Sequence, residues 1–224
     1  MPYQAVIFDL DGTILNTIDD LADSANFVLS AQGYPTHPTE RYKTFVGNGI
    51  PKLIERMLPP GTSPDIIQRT LADFRVRYAA HKLDKTVPYE GIPDLLKLLR
   101  QHGFKLAVLS NKQHELSDVM VRQIFGEDAF DVIQGMCDRL PRKPDPAACF
   151  DVMTRLDVHP DAVLYVGDSN VDMQTAANAG LVKCGVTWGF RSEQELRDEG
   201  ADFIAHTPQD IADIALGQTG GSPQ

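Results

Sequence analysis

Short apolar runs punctuate the chain: Ala5 to Phe8 (AVIF), Lys105 to Leu109 (KLAVL), Phe130 to Ile133 (FDVI), Ala162 to Val166 (AVLYV), Leu181 to Val186 (LVKCGV) and Asp202 to Ala205 (DFIA). They are strand-sized and nearly continuous rather than alternating, the pattern of strands buried on both faces of a parallel sheet. Between them the period changes. Ile92, Leu95, Leu96 and Leu99 recur at spacings of three and four and are followed by Gly103, which predicts a helix leading into the second strand. Glu115 to Phe125, Pro146 to Leu156 and Asn170 to Ala179 read as further helices, the last ended by Gly180. Strands alternating with helices in this way predict an α/β class, a doubly wound parallel sheet with a Rossmann-like core.

One interval breaks the rhythm. The chain from Phe8 to Lys105 is far longer than the dozen or so residues a helical crossover needs. Its apolar positions stay helical: Leu21, Ala25, Val28 and Leu29, then Leu53, Ile54, Met57 and Leu58, then Ile66, Ile67, Leu71, Phe74 and Tyr78, with Pro35, Pro38, Pro59, Pro60 and Pro64 between. The expected organisation is an α/β core from residues 1–14 and 86–217, and a helical domain inserted at 15–85 and lying over the sheet. Residues 218–224 (QTGGSPQ) read as a disordered tail.

Composition narrows the partners. The 224 residues carry 21 Lys and Arg against 31 Asp and Glu, a net charge of −10, which argues against the basic surface a nucleic acid requires. Apolar runs fall far short of the roughly 18 residues that span a bilayer, so no membrane association is expected. The N-terminal MPYQAVIFD has no secretory pattern, and Cys137, Cys149 and Cys184 are odd in number and widely spaced. Both point to a cytoplasmic chain with reduced thiols; a monomer or homodimer is expected. The six His show no zinc spacing.

The chemistry gathers at the strand ends. Asp9, Leu10, Asp11, Gly12 and Thr13 follow the first strand, placing two carboxylates two residues apart where an α/β sheet opens its ligand crevice. An Asx turn explains one acid; two close acids repel, and a turn has no use for the second. Ser110 and Asn111 follow the second strand. Lys143 sits in Arg142 to Pro146 (RKPDP) after the third, and Gly167, Asp168, Ser169 and Asp172 (GDSNVD) follow the fourth. Singly these are ordinary: Ser110 and Asp168 read as helix N-caps and Lys143 as a solvated charge. In a parallel sheet, however, they share one edge, and a cluster of carboxylates demands a counter-ion. An all-oxygen donor set suits Mg²⁺.

In order and context, D-x-D-G-T, Ser110 with Asn111, Lys143 before Pro144, and G-D-S-x-x-D resemble the four motifs of the haloacid dehalogenase-type phosphohydrolases, over residues 3 to 205. Within that superfamily the insertion resembles a C1 cap. Phe45 to Arg56 (FVGNGIPKLIER), Ser110 to Lys112 (SNK) and the RKPDP loop are most similar to phosphoglycolate phosphatases. Met136, Cys137 and Gln113 depart from the family pattern, which bears on substrate rather than reaction. The resemblance implies Mg²⁺-dependent hydrolysis of a small phosphorylated metabolite, 2-phosphoglycolate foremost, through an aspartyl phosphate. It implies Asp9 as nucleophile and Asp11 as general acid and base. The metal falls to Asp9, the Asp11 carbonyl and Asp168, with Asp172 a ligand or one step removed, and phosphoryl binding falls to Ser110, Asn111 and Lys143. Thr13 is expected to orient the nucleophile loop by a backbone hydrogen bond. Gly47 and Asn48 offer backbone amides to the far end of the substrate, while Lys52 and Arg56 read as solvated charges.

Other readings use the same residues. Another small-metabolite phosphatase, a pyrophosphatase or a β-phosphoglucomutase-like phosphotransferase would share them. A dehalogenase has no need of Asp11 or Asp168. A phosphonoacetaldehyde hydrolase would require a Schiff-base lysine, for which the first part of the insertion offers Lys43 and Lys52. A receiver domain has similar acids but about half the length and no insertion, and a dead scaffold would not retain every motif position.

Overall fold

The computed structural model describes residues 3–218, so the expected 218–224 tail lies outside the described residues except for Gln218, whose amide donates to the Asp213 carbonyl at 2.8 Å. In chain order the elements are β1 (Ala5–Phe8), β2 (Leu15–Asn16), α1 (Ile18–Ala31), α2 (Thr39–Phe45), α3 (Ile50–Met57), α4 (Pro64–His81), β3 (Val87–Pro88), α5 (Ile92–Gln101), β4 (Lys105–Gln113), α6 (His114–Phe125), β5 (Val132–Met136), α7 (Ala147–Leu156), β6 (Val163–Gly167), α8 (Asn170–Asn178), β7 (Val182–Val186), α9 (Glu193–Asp198), β8 (Phe203–Ala205) and α10 (Pro208–Leu216). The described residues divide into two compact units, one of residues 3–15 with 88–218 and one of residues 16–87.

The first unit is a six-stranded parallel sheet of order β5-β4-β1-β6-β7-β8. Every residue of β1 is fully buried, which is why its sequence is unbroken apolar: helices cover both faces. Ala5 and Ile7 belong to a core built with Ala107 and Leu109 of β4, Val163 and Tyr165 of β6, Cys149, Val152 and Leu156 of α7, and Ala176 of α8. Val6 and Phe8 alternate to the other side. The chain runs from β1 outward to β4 and β5, then returns to the opposite side of β1 for β6, β7 and β8. That reversal is the switch point at which such sheets bind ligands.

Two boundaries differ from expectation for visible reasons. β5 begins at Val132 because the Asp131 carboxylate itself accepts the Leu106 amide at 2.7 Å and an Arg100 guanidinium at 2.6 Å, while Phe130 packs edge-on against Phe8 and Phe125. β4 runs past Leu109 to Gln113, but its register against β5 shifts between those residues, so Ser110 to Lys112 bulge out of the ladder. Helices α9 and α10, not anticipated, each begin with a capping box, Ser192 with Glu195 and Thr207 with Asp210.

The second unit is helical. Leu21, Ala25 and Leu29 of α1, Tyr42 and Phe45 of α2, Leu53 and Ile54 of α3, and Leu71, Phe74 and Tyr78 of α4 form its interior; Ile66 and Ile67 are only half-buried. Asp20 is buried at the start of α1, where it accepts the amides of Lys85 and Thr86 and the Thr86 hydroxyl, tying the end of the insertion to its beginning. No helix among the described residues is long and apolar enough to cross a membrane.

Candidate active site

The strand register determines which residues meet. Phe8 pairs with Val108 on one side and Val166 on the other. The next residues, Asp9, Leu109 and Gly167, therefore lie level, and Ser110 and Asp168 stand one step beyond. The Asp9 amide donates to the Val166 carbonyl at 2.9 Å, carrying the ladder into the loop. Gly12 then turns the chain at φ +93°, a left-handed conformation in which a side chain would also strike the Asp168 carboxylate.

Asp9, Asp168 and Asp172 each bring a carboxylate oxygen within 4.8 Å of the others, and all three are buried. Asp9, at 8% exposed, retains access to solvent, whereas Asp168 and Asp172 are at 1% and 0%. The Lys143 ammonium is equally buried. It donates to Asp9 Oδ1 and Asp172 Oδ1, each at 2.7 Å, and to the Leu109 carbonyl at 3.0 Å. The Tyr165 hydroxyl stands 3.3 Å from Lys143 Nζ and 3.4 Å from Asp172 Oδ1.

The electrostatics follow from this crowding. Burial, then the charge of Asp172, pushes the Asp9 carboxyl up to about 7 against the pull of Lys143. Asp168 is raised well above the carboxylate range by burial and by Asp172 and Asp9. Burial opposes the charge on Lys143, but Asp172 and Asp9 outweigh it and hold the ammonium firmly protonated. The Lys143 ammonium pairs with Asp9 and Asp172 but not with Asp168; with all three carboxylates ionised two negative charges are in excess, which one divalent cation would neutralise. The donors are all oxygen, so the residues present fit Mg²⁺.

Asp172 is the least available of the three. Its Oδ1 holds Lys143, and its Oδ2 accepts the amide and hydroxyl of Ser169 at 3.1 and 2.6 Å, closing the capping box of α8. Ser169, not Asp168, is therefore the N-cap. Asp168 instead accepts the Phe190 amide on Oδ2 at 2.7 Å and the Thr13 hydroxyl on Oδ1 at 3.3 Å. Thr13 makes the expected backbone bond within the loop, its amide donating to the Leu10 carbonyl at 3.3 Å, and adds the side-chain bond to Asp168.

Ser110 and Asn111 lie in the bulge of β4, so Ser110 is no helix cap; that place belongs to Gln113. The Asn111 amide donates to the Lys143 carbonyl at 3.1 Å, pinning the loop that delivers the lysine. Asp11 meets a partner the sequence reading left without a role: Lys112, 6% exposed, whose ammonium lies 2.8 and 3.1 Å from the two Asp11 oxygens. Tyr165, Trp188 and Phe190 were missed too. A phenol inside the AVLYV run, and TWGF directly after a strand end on the same sheet edge, were the available signals.

Gly47 and Asn48 belong to the helical unit, in the loop between α2 and α3. Gly47 has φ +109°, and Asn48 Oδ1 accepts Arg56 at 2.8 Å. Arg56 also donates to the Phe45 carbonyl at 2.9 Å, so it buckles this loop while staying exposed as expected; Lys52 pairs at the surface with Glu55.

Comparison with known proteins finds relatives over most of the chain. Residues 6–186 match the model of the haloacid dehalogenase-like hydrolases. A phosphoglycolate phosphatase of Nitrosospira multiformis is 32% identical over 209 residues, 91% of this chain and 92% of the relative. One from Pseudomonas putida is 35% identical over 206 residues, 89% of this chain and 75% of the relative. Among solved structures, a candidate phosphoglycolate phosphatase of Lactobacillus delbrueckii subsp. bulgaricus superimposes with a TM-score of 0.92 at 35% identity, covering 97% of this chain and all of that one. CbbY of Rhodobacter sphaeroides, solved with phosphate, gives 0.74 at 25% identity over 93% of this chain and 96% of that one. The chain belongs to the haloacid dehalogenase-like hydrolase family.

Proposed function

We propose that the protein hydrolyses a small phosphate monoester in the cytoplasm, 2-phosphoglycolate foremost, with Mg²⁺ and through an aspartyl phosphate on Asp9. The chain is a phosphoric monoester hydrolase; its relatives are phosphoglycolate phosphatases. The observation that carries the mechanistic reading is the meeting of Asp9, Lys143 and Asp168 at the switch point of the sheet.

Asp9 keeps the accessibility an attacking group needs, and Lys143 orients its Oδ1. Attack of the other oxygen on phosphorus would split hydrolysis into two easier steps. Asp11 gives its proton to the leaving alcohol and later takes one from the attacking water, a role worth about 10² to 10⁴ in rate. Lys112 holds Asp11 in place between these duties. Ser110 and Lys143 bind phosphoryl oxygens, because phosphoryl transfer rests on positioning and charge stabilisation.

Asp9, Asp168 and the Asp11 carbonyl would hold Mg²⁺, which would supply positive charge to the phosphoryl oxygens. Asp172 acts one step back, fixing Lys143. The test is hydrolysis of p-nitrophenyl phosphate and of a panel of phosphorylated metabolites. Turnover requires Mg²⁺, and 2-phosphoglycolate gives the highest kcat/KM. Undiminished activity in EDTA defeats the metal-dependent mechanism, and a better ester defeats the substrate assignment.

A further inference from the structure

We infer that Trp188 is a positioning residue for the catalytic carboxylates: its indole N–H locks the Asp9 to Thr13 turn at a set distance from Asp168. This rests on the phosphatase reading above and adds a residue to it.

Four hydrogen-bonding groups close a ring. Trp188 Nε1 donates to the Thr13 carbonyl at 3.0 Å, the Thr13 hydroxyl donates to Asp168 Oδ1 at 3.3 Å, and the Phe190 amide donates to Asp168 Oδ2 at 2.7 Å. Two peptide links from Trp188 to Phe190 complete it. Gly189, between them, lies so close that a Cβ there would be 2.2 Å from the Asp168 Cβ, so the segment is pressed directly onto this carboxylate. The indole is backed by Tyr89, whose ring centroid is 6.4 Å away and whose own amide donates to the Ile14 carbonyl at 3.2 Å. The loop after β7 thus grips both the turn carrying Asp9 and Asp11 and the acid on β6. Two acids that repel each other are held together by the Thr13 hydroxyl of D-x-D-G-T and by two donors from outside both motif segments, the Trp188 indole and the Phe190 amide.

Removing the donor while keeping an aromatic ring isolates this role. In Trp188→Phe, kcat for p-nitrophenyl phosphate falls about tenfold and half-saturating Mg²⁺ rises by a similar factor, the lower end of the cost of losing a partner behind a metal ligand. KM for the ester stays within about twofold, a split that general loosening does not produce. The Mg²⁺ concentration needed to raise the melting temperature shifts in parallel, a readout independent of turnover. Wild-type kcat with wild-type Mg²⁺ response in the variant overturns the assignment, as does a rise in KM equal to the fall in kcat.

If wild-type protein hydrolyses no ester, the phosphatase reading fails, and the thermal titration of both proteins still decides on Trp188. Should the variant not fold, wild-type emission decides, because Trp188 is the chain's single tryptophan. Mg²⁺ shifts that emission in the wild type and leaves it unchanged in Asp168→Asn; no shift at saturating Mg²⁺ overturns the inference.

Discussion

Lys112 sets its ammonium 2.8 and 3.1 Å from the two carboxylate oxygens of Asp11, while the neighbouring Asp9 and Asp172 pair with Lys143. The bulge in β4 brings it there, since a regular strand would continue the ladder with β5. In the acid–base role proposed for Asp11, a fixed starting position favours handing over and recovering the proton. Lys112→Met is expected to lower kcat by about 10 to 100-fold with a smaller effect on KM, measured by steady-state kinetics. A wild-type kcat removes Lys112 from the mechanism.

Asp9→Asn and Lys143→Met move stability in opposite directions though both abolish turnover. In the first, a carboxylate that burial and Asp172 disfavour becomes neutral, so the chelator-treated protein melts higher than wild type. In the second, Asp172 and Asp9 lose their buried partner, costing about 3 to 5 kcal/mol. Denaturant unfolding in EDTA separates them; a destabilised Asp9→Asn contradicts the charge argument.

The raised carboxyls set a pH signature. Asp9, near 7 when folded and about 3.9 unfolded, binds more protons in the folded state between those values. In EDTA its contribution to stability therefore declines as pH rises from about 4 through 7, and Asp168 acts in the same direction. Mg²⁺ held by Asp9 and Asp168 as proposed would replace those protons, so its stabilising effect is expected to grow with pH. Thermal melts with and without Mg²⁺ at about pH 5.5 and about pH 8 check this: the Mg²⁺ increment is larger at the higher pH.

Gly189→Ala forces a Cβ to 2.2 Å from that of Asp168 and is expected to cost about 1 to 3 kcal/mol together with most Mg²⁺ affinity. Gly33→Ala, whose Cβ meets nothing within 4 Å, carries only the penalty of its positive φ and leaves activity intact. Parallel melts and Mg²⁺ titrations of the two variants read the difference; equal Mg²⁺ affinity in both contradicts the close approach.

The α/β class and parallel sheet were legible in sequence because AVIF, KLAVL and AVLYV lack polar interruptions, and only strands covered on both faces tolerate that. The convergence of Asp9, Lys143, Asp168 and Asp172 was legible for a related reason: strand ends of a parallel sheet share an edge. Lys112, Trp188 and Phe190 were not. Whether a lysine reaches an aspartate depends on a register shift between β4 and β5, and whether a tryptophan reaches the Thr13 carbonyl depends on where the loop after β7 crosses the β1 turn. Arg56 shows the same limit within the helical unit, where its charge serves the Phe45 carbonyl and Asn48. Periodicity and local composition determine which elements form and which ends carry polar groups. Pairings between distant segments are decided by packing, because hydrogen bonds of about 3 Å reward placements that no neighbouring residue records.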